Sequence, residues 1–156
     1  MINLATIAGA IIIGLLIDRF HVTTAIMTCT IGATVSIFLF WGFATQAAAQ
    51  PLLYIFALLY GIFGGGFSAT WAGCASAIRR RYQNVETGFV IALLAAGRGV
   101  GAVASGPLSA KLLQADSWKG EAAGAYGSGF GSLVVFTGIT AACGGLSWIG
   151  RRFGFV

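Results

Sequence analysis

The stretch PLLYIFALLYGIFGGGFSATWAGCASAIRRR, residues 51–81, decides the fold. From 51 to 78 it carries no charged side chain, and it then places three arginines in a row, Arg79, Arg80 and Arg81. An α-helix rises about 1.5 Å per residue, so roughly 20 apolar residues cross a hydrocarbon layer of ~30 Å. The stretch is therefore long enough to span a bilayer as one helix and to end in a basic cluster. It lacks the alternation of apolar and polar residues that marks the strands of a membrane barrel, which excludes that fold.

The same pattern recurs on both sides. Apolar runs at 1–17, 22–43, 87–112 and 128–150 are set off by Asp18-Arg19, by the triple arginine and by Arg151-Arg152. The expectation is an all-α, polytopic membrane bundle of about five transmembrane helices, forming one unit over 1–156. Composition agrees. Residues are 58% hydrophobic and only 8% charged, against about 25% charged in a soluble domain. Mean hydropathy is +0.90, so a water-soluble protein is excluded.

The formal net charge of +5 needs no nucleic acid to explain it. The basic clusters are short and bracketed by apolar spans, and cytoplasmic loops of membrane proteins are rich in Lys and Arg. Arg19, Arg79, Arg80, Arg81, Arg151 and Arg152 all fall on one side of the expected spans. The opposite connections, 44–50 and 113–127, hold Lys119 against Asp116 and Glu121, with Lys111 close by. The arginine side, with the C-terminus, is therefore read as cytoplasmic. Residues 1–17 have no basic lead-in and run straight into Asp18-Arg19, unlike a signal peptide. They read as a span cut short, and the chain as a fragment or truncated gene product rather than a complete short protein.

Cys29, Cys74 and Cys143 are odd in number and far apart in sequence, so neither a disulfide framework nor a metal site is expected. No cofactor is expected either. His21 is the single histidine and is read as lying in a loop, with no nucleophile and base close together. An enzyme is therefore not expected. Small residues recur at a spacing that lets membrane helices approach closely: Gly61/Gly65, Gly97/Gly101 and Gly127/Gly131.

Arg98 is the exception to the charge pattern, an arginine well inside an apolar span. A charge there costs a few kcal/mol on insertion scales and marks function more often than packing. At helical spacing it shares a face with Gly101, Ala102, Ser105 and Ser109, which suits a bundle interior or pore. Its planar guanidinium fits a carboxylate substrate; the alternative is an arginine that pairs with helix-end carbonyls or an absent carboxylate, or that snorkels. Tyr60, Ser68 and Trp71 sit deep in the span at 51–78, either facing a cavity or packed between helices. Tyr54 is near enough to the outer end to serve as an interface anchor.

The segment Gly14-Leu15-Leu16-Ile17-Asp18-Arg19 resembles the G-x-L-x-D-R signature of the major facilitator superfamily. That signature lies between helices 2 and 3 and returns more loosely between helices 8 and 9. Here it continues as Phe20-His21-Val22 instead of a basic run, which suits the looser copy. Leu59-Tyr60-Gly61 through Phe67 is similar to helix 10 of monocarboxylate-transporter-like proteins. Gly97-Arg98-Gly99-Val100-Gly101 with Ser105-Gly106-Pro107 is similar to helix 11 of their fungal branch, and Gly131 to Gly138 to the start of helix 12. The resemblance implies helices 8–12 of a twelve-helix transporter whose N-terminal half is missing; helices 2–6 remain the other assignment.

It also implies a secondary transporter of small organic anions, monocarboxylates foremost, working by alternating access in the plasma membrane. Arg98, Tyr60, Ser68, Trp71 and Ser105 would line its cavity, and Gly14, Asp18 and Arg19 would form a gating turn. Protons are one candidate co-substrate and the coupling ion stays open; the acidic residues Asp18, Glu86, Asp116 and Glu121 all lie at or near span ends, so a proton-coupling carboxylate would sit on a helix outside this chain. Two alternatives stand beside it: a transporter of sugars, drugs or amino acids on the same fold, and a transport-inactive membrane protein.

Overall fold

The structure, a computed structural model, describes residues 2–44, 49–82, 86–115, 120, 124–127 and 129–146. Every regular element among them is helical. α1 spans Ile2–Arg19 and α2 spans Val22–Val35, extended by a π-helical stretch at Ser36–Trp41. α3 (Ala49–Tyr60) continues through a π-helical stretch, Gly61–Gly65, and a 3-10 turn, Phe67–Ala69, into α4 (Thr70–Arg81). α5 spans Thr87–Ala115, and a short 3-10 turn, Gly124–Gly127, precedes α6 (Gly131–Cys143).

Four helical runs are long and apolar enough to cross a membrane by length and composition: Ile2–Arg19, Val22–Trp41, Gln50–Arg81 and Thr87–Gln114. α6 is shorter; its 13 residues rise only about 20 Å. Residues 147–150 of the span expected at 128–150 lie outside the described residues, as do Arg151, Arg152, Asp116, Lys119 and Glu121.

The turn between α1 and α2 is tighter than the sequence suggests. Asp18 and Arg19, expected in the turn between two spans, belong to the last turn of α1. A cation there complements the negative end of the helix dipole. Only Phe20 and His21 lie between the helices. His21 is extended (φ −67°, ψ 142°) and caps α2 by accepting a hydrogen bond from the Thr23 N–H at Nδ1, 3.4 Å. The three arginines at 79–81 likewise form the last turn of α4 rather than a loop.

α1 runs parallel to the segment 61–73 and presses closely against it. A Cβ added at Gly61 would sit 2.6 Å from the Ala5 Cβ, and one at Gly9 would sit 2.7 Å from the Ile62 Cα. Glycine on both sides is what lets the two backbones meet. Ile13, Ala25 and Cys29 form the buried core between α1 and α2, closed by Leu16, Ile17, Phe67 and Ala69. Of the three free cysteines, Cys29 is buried, Cys74 half-buried and Cys143 exposed.

α6 lies antiparallel to α2, with Gly138 beside the Phe38 ring and Gly145 beside Thr30. The Tyr126 hydroxyl donates to the Phe38 carbonyl at 3.1 Å, and the Ala125 N–H donates to the Gly42 carbonyl at 3.0 Å. The Ser132 hydroxyl donates to the Leu112 carbonyl at 2.8 Å, tying α6 to the far end of α5. Otherwise α5 stands at the edge, flanked by α4 and α6 and exposed along most of its length.

Candidate functional site

Arg98 sits on α5 about 16 Å along the helix axis from Thr87. Its guanidinium carbon lies 5.9 Å from the centroid of the Trp71 ring on α4. That is within the ~6 Å reach of a cation–π contact, which is attractive because the ring face is electronegative. Trp71 is half-buried and Arg98 exposed. A ring facing one side of a guanidinium leaves its in-plane N–H edge available to a planar acceptor such as a carboxylate. Of the five residues expected to line a cavity, the structure brings these two together.

The other three stand apart from that pair. Ser105 follows Arg98 by two turns on the same face, is exposed, and donates to the Ala102 carbonyl at 2.8 Å. Ser109, half-buried, donates to the Ser105 carbonyl at 2.6 Å. Ser68 is exposed and donates to the Gly65 carbonyl at 3.1 Å. Their hydroxyls therefore satisfy their own helices first. Tyr60 stacks on Phe56 with centroids 5.4 Å apart. It lines a separate cavity of about 230 Å³ between α2, the segment 61–67 and α6, shared with Thr30, Phe63 and Thr140.

Gly14, Asp18 and Arg19 are brought together with Arg80 of α4. They line a cavity of about 640 Å³ at the arginine-bearing end of the bundle, with His21, Ser76 and Arg80. The wall of this cavity formed by α4 and the residue before it is a regular stripe, Ala69, Ala72, Gly73, Ser76, Ala77 and Arg80, spaced as one helix face. Trp71 falls on the opposite face, so α4 separates the two sites. Gly73 lets α4 approach the turn: a Cβ there would lie 2.8 Å from the Val22 side chain and 3.1 Å from Ile17.

His21 and Arg80 are functional candidates that sequence reasoning passed over, one as a loop residue and the other as a topological charge. The helical stripe of small residues leading to Arg80 was the available signal. Among the described residues no group of three or more His, Cys, Asp or Glu side chains is placed to hold a metal ion. Comparison of the chain with protein-family models, with curated proteins and with solved structures finds no match.

Proposed function

We propose that the chain is part of a secondary transporter that moves small organic anions, monocarboxylates foremost, by alternating access. The observation that carries this reading is Arg98, a guanidinium midway along a membrane-length helix, faced by Trp71 with its donor edge free for a carboxylate. The motif order from Gly14 to Gly138 supports the same reading, through its resemblance to the major facilitator superfamily. Asp18 and Arg19 would hold the basic end closed in one access state, consistent with their sharing a cavity with Arg80. The basic ends would face the cytoplasm, and the plasma membrane is the location the resemblance favours. A twelve-helix transporter needs a second half around its site, which the open flank of α5 has room to meet.

The test is uptake of labelled lactate by cells expressing the chain together with any in-frame coding sequence that precedes it. Saturable uptake is expected, abolished in Arg98→Ala. Arg98→Lys keeps the charge but loses the planar fork, so its KM should rise. Unchanged uptake by correctly inserted Arg98→Ala would refute the anion assignment. Uptake of glucose in place of lactate would move the chain to the second substrate class, and absence of any uptake would favour the transport-inactive reading. Normal rates in Asp18→Asn would remove the gating role.

A further inference from the structure

The cavity at the basic end has a chemistry that the carboxylate site at Arg98 does not use. Two guanidinium groups, Arg19 and Arg80, line it against one carboxylate, Asp18. Arg79 and Arg81 flank Arg80 in the same helical turn and raise the positive potential further. His21 adds a directed donor. Its Nδ1 is the acceptor for the Thr23 N–H and lies 2.9 Å from the Thr23 hydroxyl. The neutral ring therefore carries its proton on Nε2, free of that cap. Ser76 supplies a hydroxyl on the α4 wall. The remaining lining is apolar, from Ile17, Phe20, Val22, Ala69, Ala72 and Ala77.

Its position narrows the ligand. The cavity opens where α1 and α4, both part of membrane-length runs, reach their ends. That is the level of the headgroups in a bilayer. Basic pockets between membrane helices at this level hold phosphorylated headgroups, and apolar walls below them suit the first carbons of acyl chains. A volume of about 640 Å³ falls within the range of small-molecule sites.

We propose that this cavity is a binding site for a phosphate group, supplied by the headgroup of an anionic phospholipid and held by Arg80, Arg19 and the His21 Nε2–H. The site goes beyond the transport reading: it uses neither Arg98 nor Trp71, and it shares Arg19 with the proposed gating turn, so Arg80, which has no part in the carboxylate site, is the residue that tests it. Asp18 faces the same cavity and sets a limit: the phosphate must be held by the guanidinium side, or carboxylate repulsion offsets the gain.

The full chain in detergent micelles is titrated with dioctanoyl phosphatidate, dioctanoyl phosphatidylcholine and inorganic phosphate, and bound ligand is counted by native mass spectrometry. Phosphatidate is expected to bind, and to weaken about tenfold in Arg80→Gln, the loss of one charge-assisted contact. Arg81→Gln, which is outside the lining and removes only a more distant charge, should weaken binding much less than Arg80→Gln. Inorganic phosphate that binds with the same Arg80 dependence, and as tightly as phosphatidate, supports the phosphate site but overturns the lipid source. Equal loss in both variants, or equal binding of phosphatidylcholine, overturns the site, because surface charge or detergent-like insertion then explains it. A second readout avoids folding defects: in the unsubstituted chain, phosphatidate should protect Arg80 from phenylglyoxal and leave Arg81 reactive. Equal protection of the two, or none, overturns the proposal.

Discussion

Replacing Gly9 by alanine should destabilise the bundle, while the same change at Gly14 on the same helix should not. A Cβ at Gly9 would lie 2.7 Å from the Ile62 Cα and 2.8 Å from its carbonyl carbon. Both are backbone atoms, so no rotamer change relieves the clash, and α1 must move away from the segment 61–65. Overpacking of this kind costs about 1–3 kcal/mol. At Gly14 an added Cβ meets nothing within 4 Å, and a surface change of that kind is worth about ±0.5 kcal/mol or less. The helical entropy that normally favours alanine over glycine is muted for a membrane span, because the dissociated helix stays helical in lipid or micelle. The two variants should therefore differ by about 1–3 kcal/mol, the packing term alone. The measurement is reversible unfolding of the full chain in mixed micelles with increasing dodecyl sulfate, followed by circular dichroism and by Trp fluorescence. If Gly9→Ala and Gly14→Ala unfold at the same midpoint, close backbone contact is not what holds α1 to the third span.

Trp71→Leu removes the ring beneath Arg98 while keeping an apolar side chain on α4. A cation–π contact at an exposed site is worth about 0.5–1 kcal/mol, so KM for a carboxylate should rise about two- to fivefold with kcat little changed. Tyr126→Phe deletes the hydrogen bond to the Phe38 carbonyl and should lower stability by about 0.5–1.5 kcal/mol in the same unfolding assay. Burial pushes the Tyr126 phenol above its ordinary value of 10.0, so the folded state favours the neutral form. Its contribution should be intact below about pH 10 and be lost as pH rises through the raised folded value, a dependence missing from Tyr126→Phe.

The charge pattern made the long helices legible because an apolar run of membrane length has few alternatives to a helix. The boundaries were less so. Asp18 and Arg19 read as a turn, and the three arginines at 79–81 as lying just past a span, since charged residues interrupt an apolar pattern. Yet the C-terminal turn of a helix favours cations, so α1 and α4 run on to include them. Gly61 and Gly65 were recognisable as a packing pair, but the same spacing at Gly97 and Gly101 meets no neighbour within 4 Å. Spacing alone says that a close contact is permitted, and only a partner makes it real. Arg98 was visible as a misplaced charge, and Trp71 as a deep aromatic. That they face each other depends on how α4 and α5 are rotated, which no local pattern encodes. His21 was the least legible, because its role as the cap of α2 rests on a two-residue turn and an extended backbone.

Arg98 also constrains what lies against α5. An arginine at the centre of a span costs about 2.5–3.5 kcal/mol on insertion scales, and a cation–π contact returns about 0.5–2 kcal/mol. The balance must come from water or from a second polar partner, and the face it shares with Gly101, Ala102, Ser105 and Ser109 carries only small and hydroxyl side chains, whereas the other side presents Val100 and Val103. That face should therefore border water in the assembled protein, while Val100, 200° further round the helix on the other side, borders lipid or packing. The distinction is measurable. In a Cys143→Ala background, which removes the exposed native thiol, Ser105→Cys should react with a membrane-impermeant methanethiosulfonate in intact membranes. Lactate should slow that reaction, because its carboxylate would occupy Arg98 two turns away. Val100→Cys should react far more slowly and be indifferent to lactate. If the thiol at 100 reacts as fast as the thiol at 105, the face bearing Arg98 does not line an aqueous path, and its charge is met in some other way than by substrate.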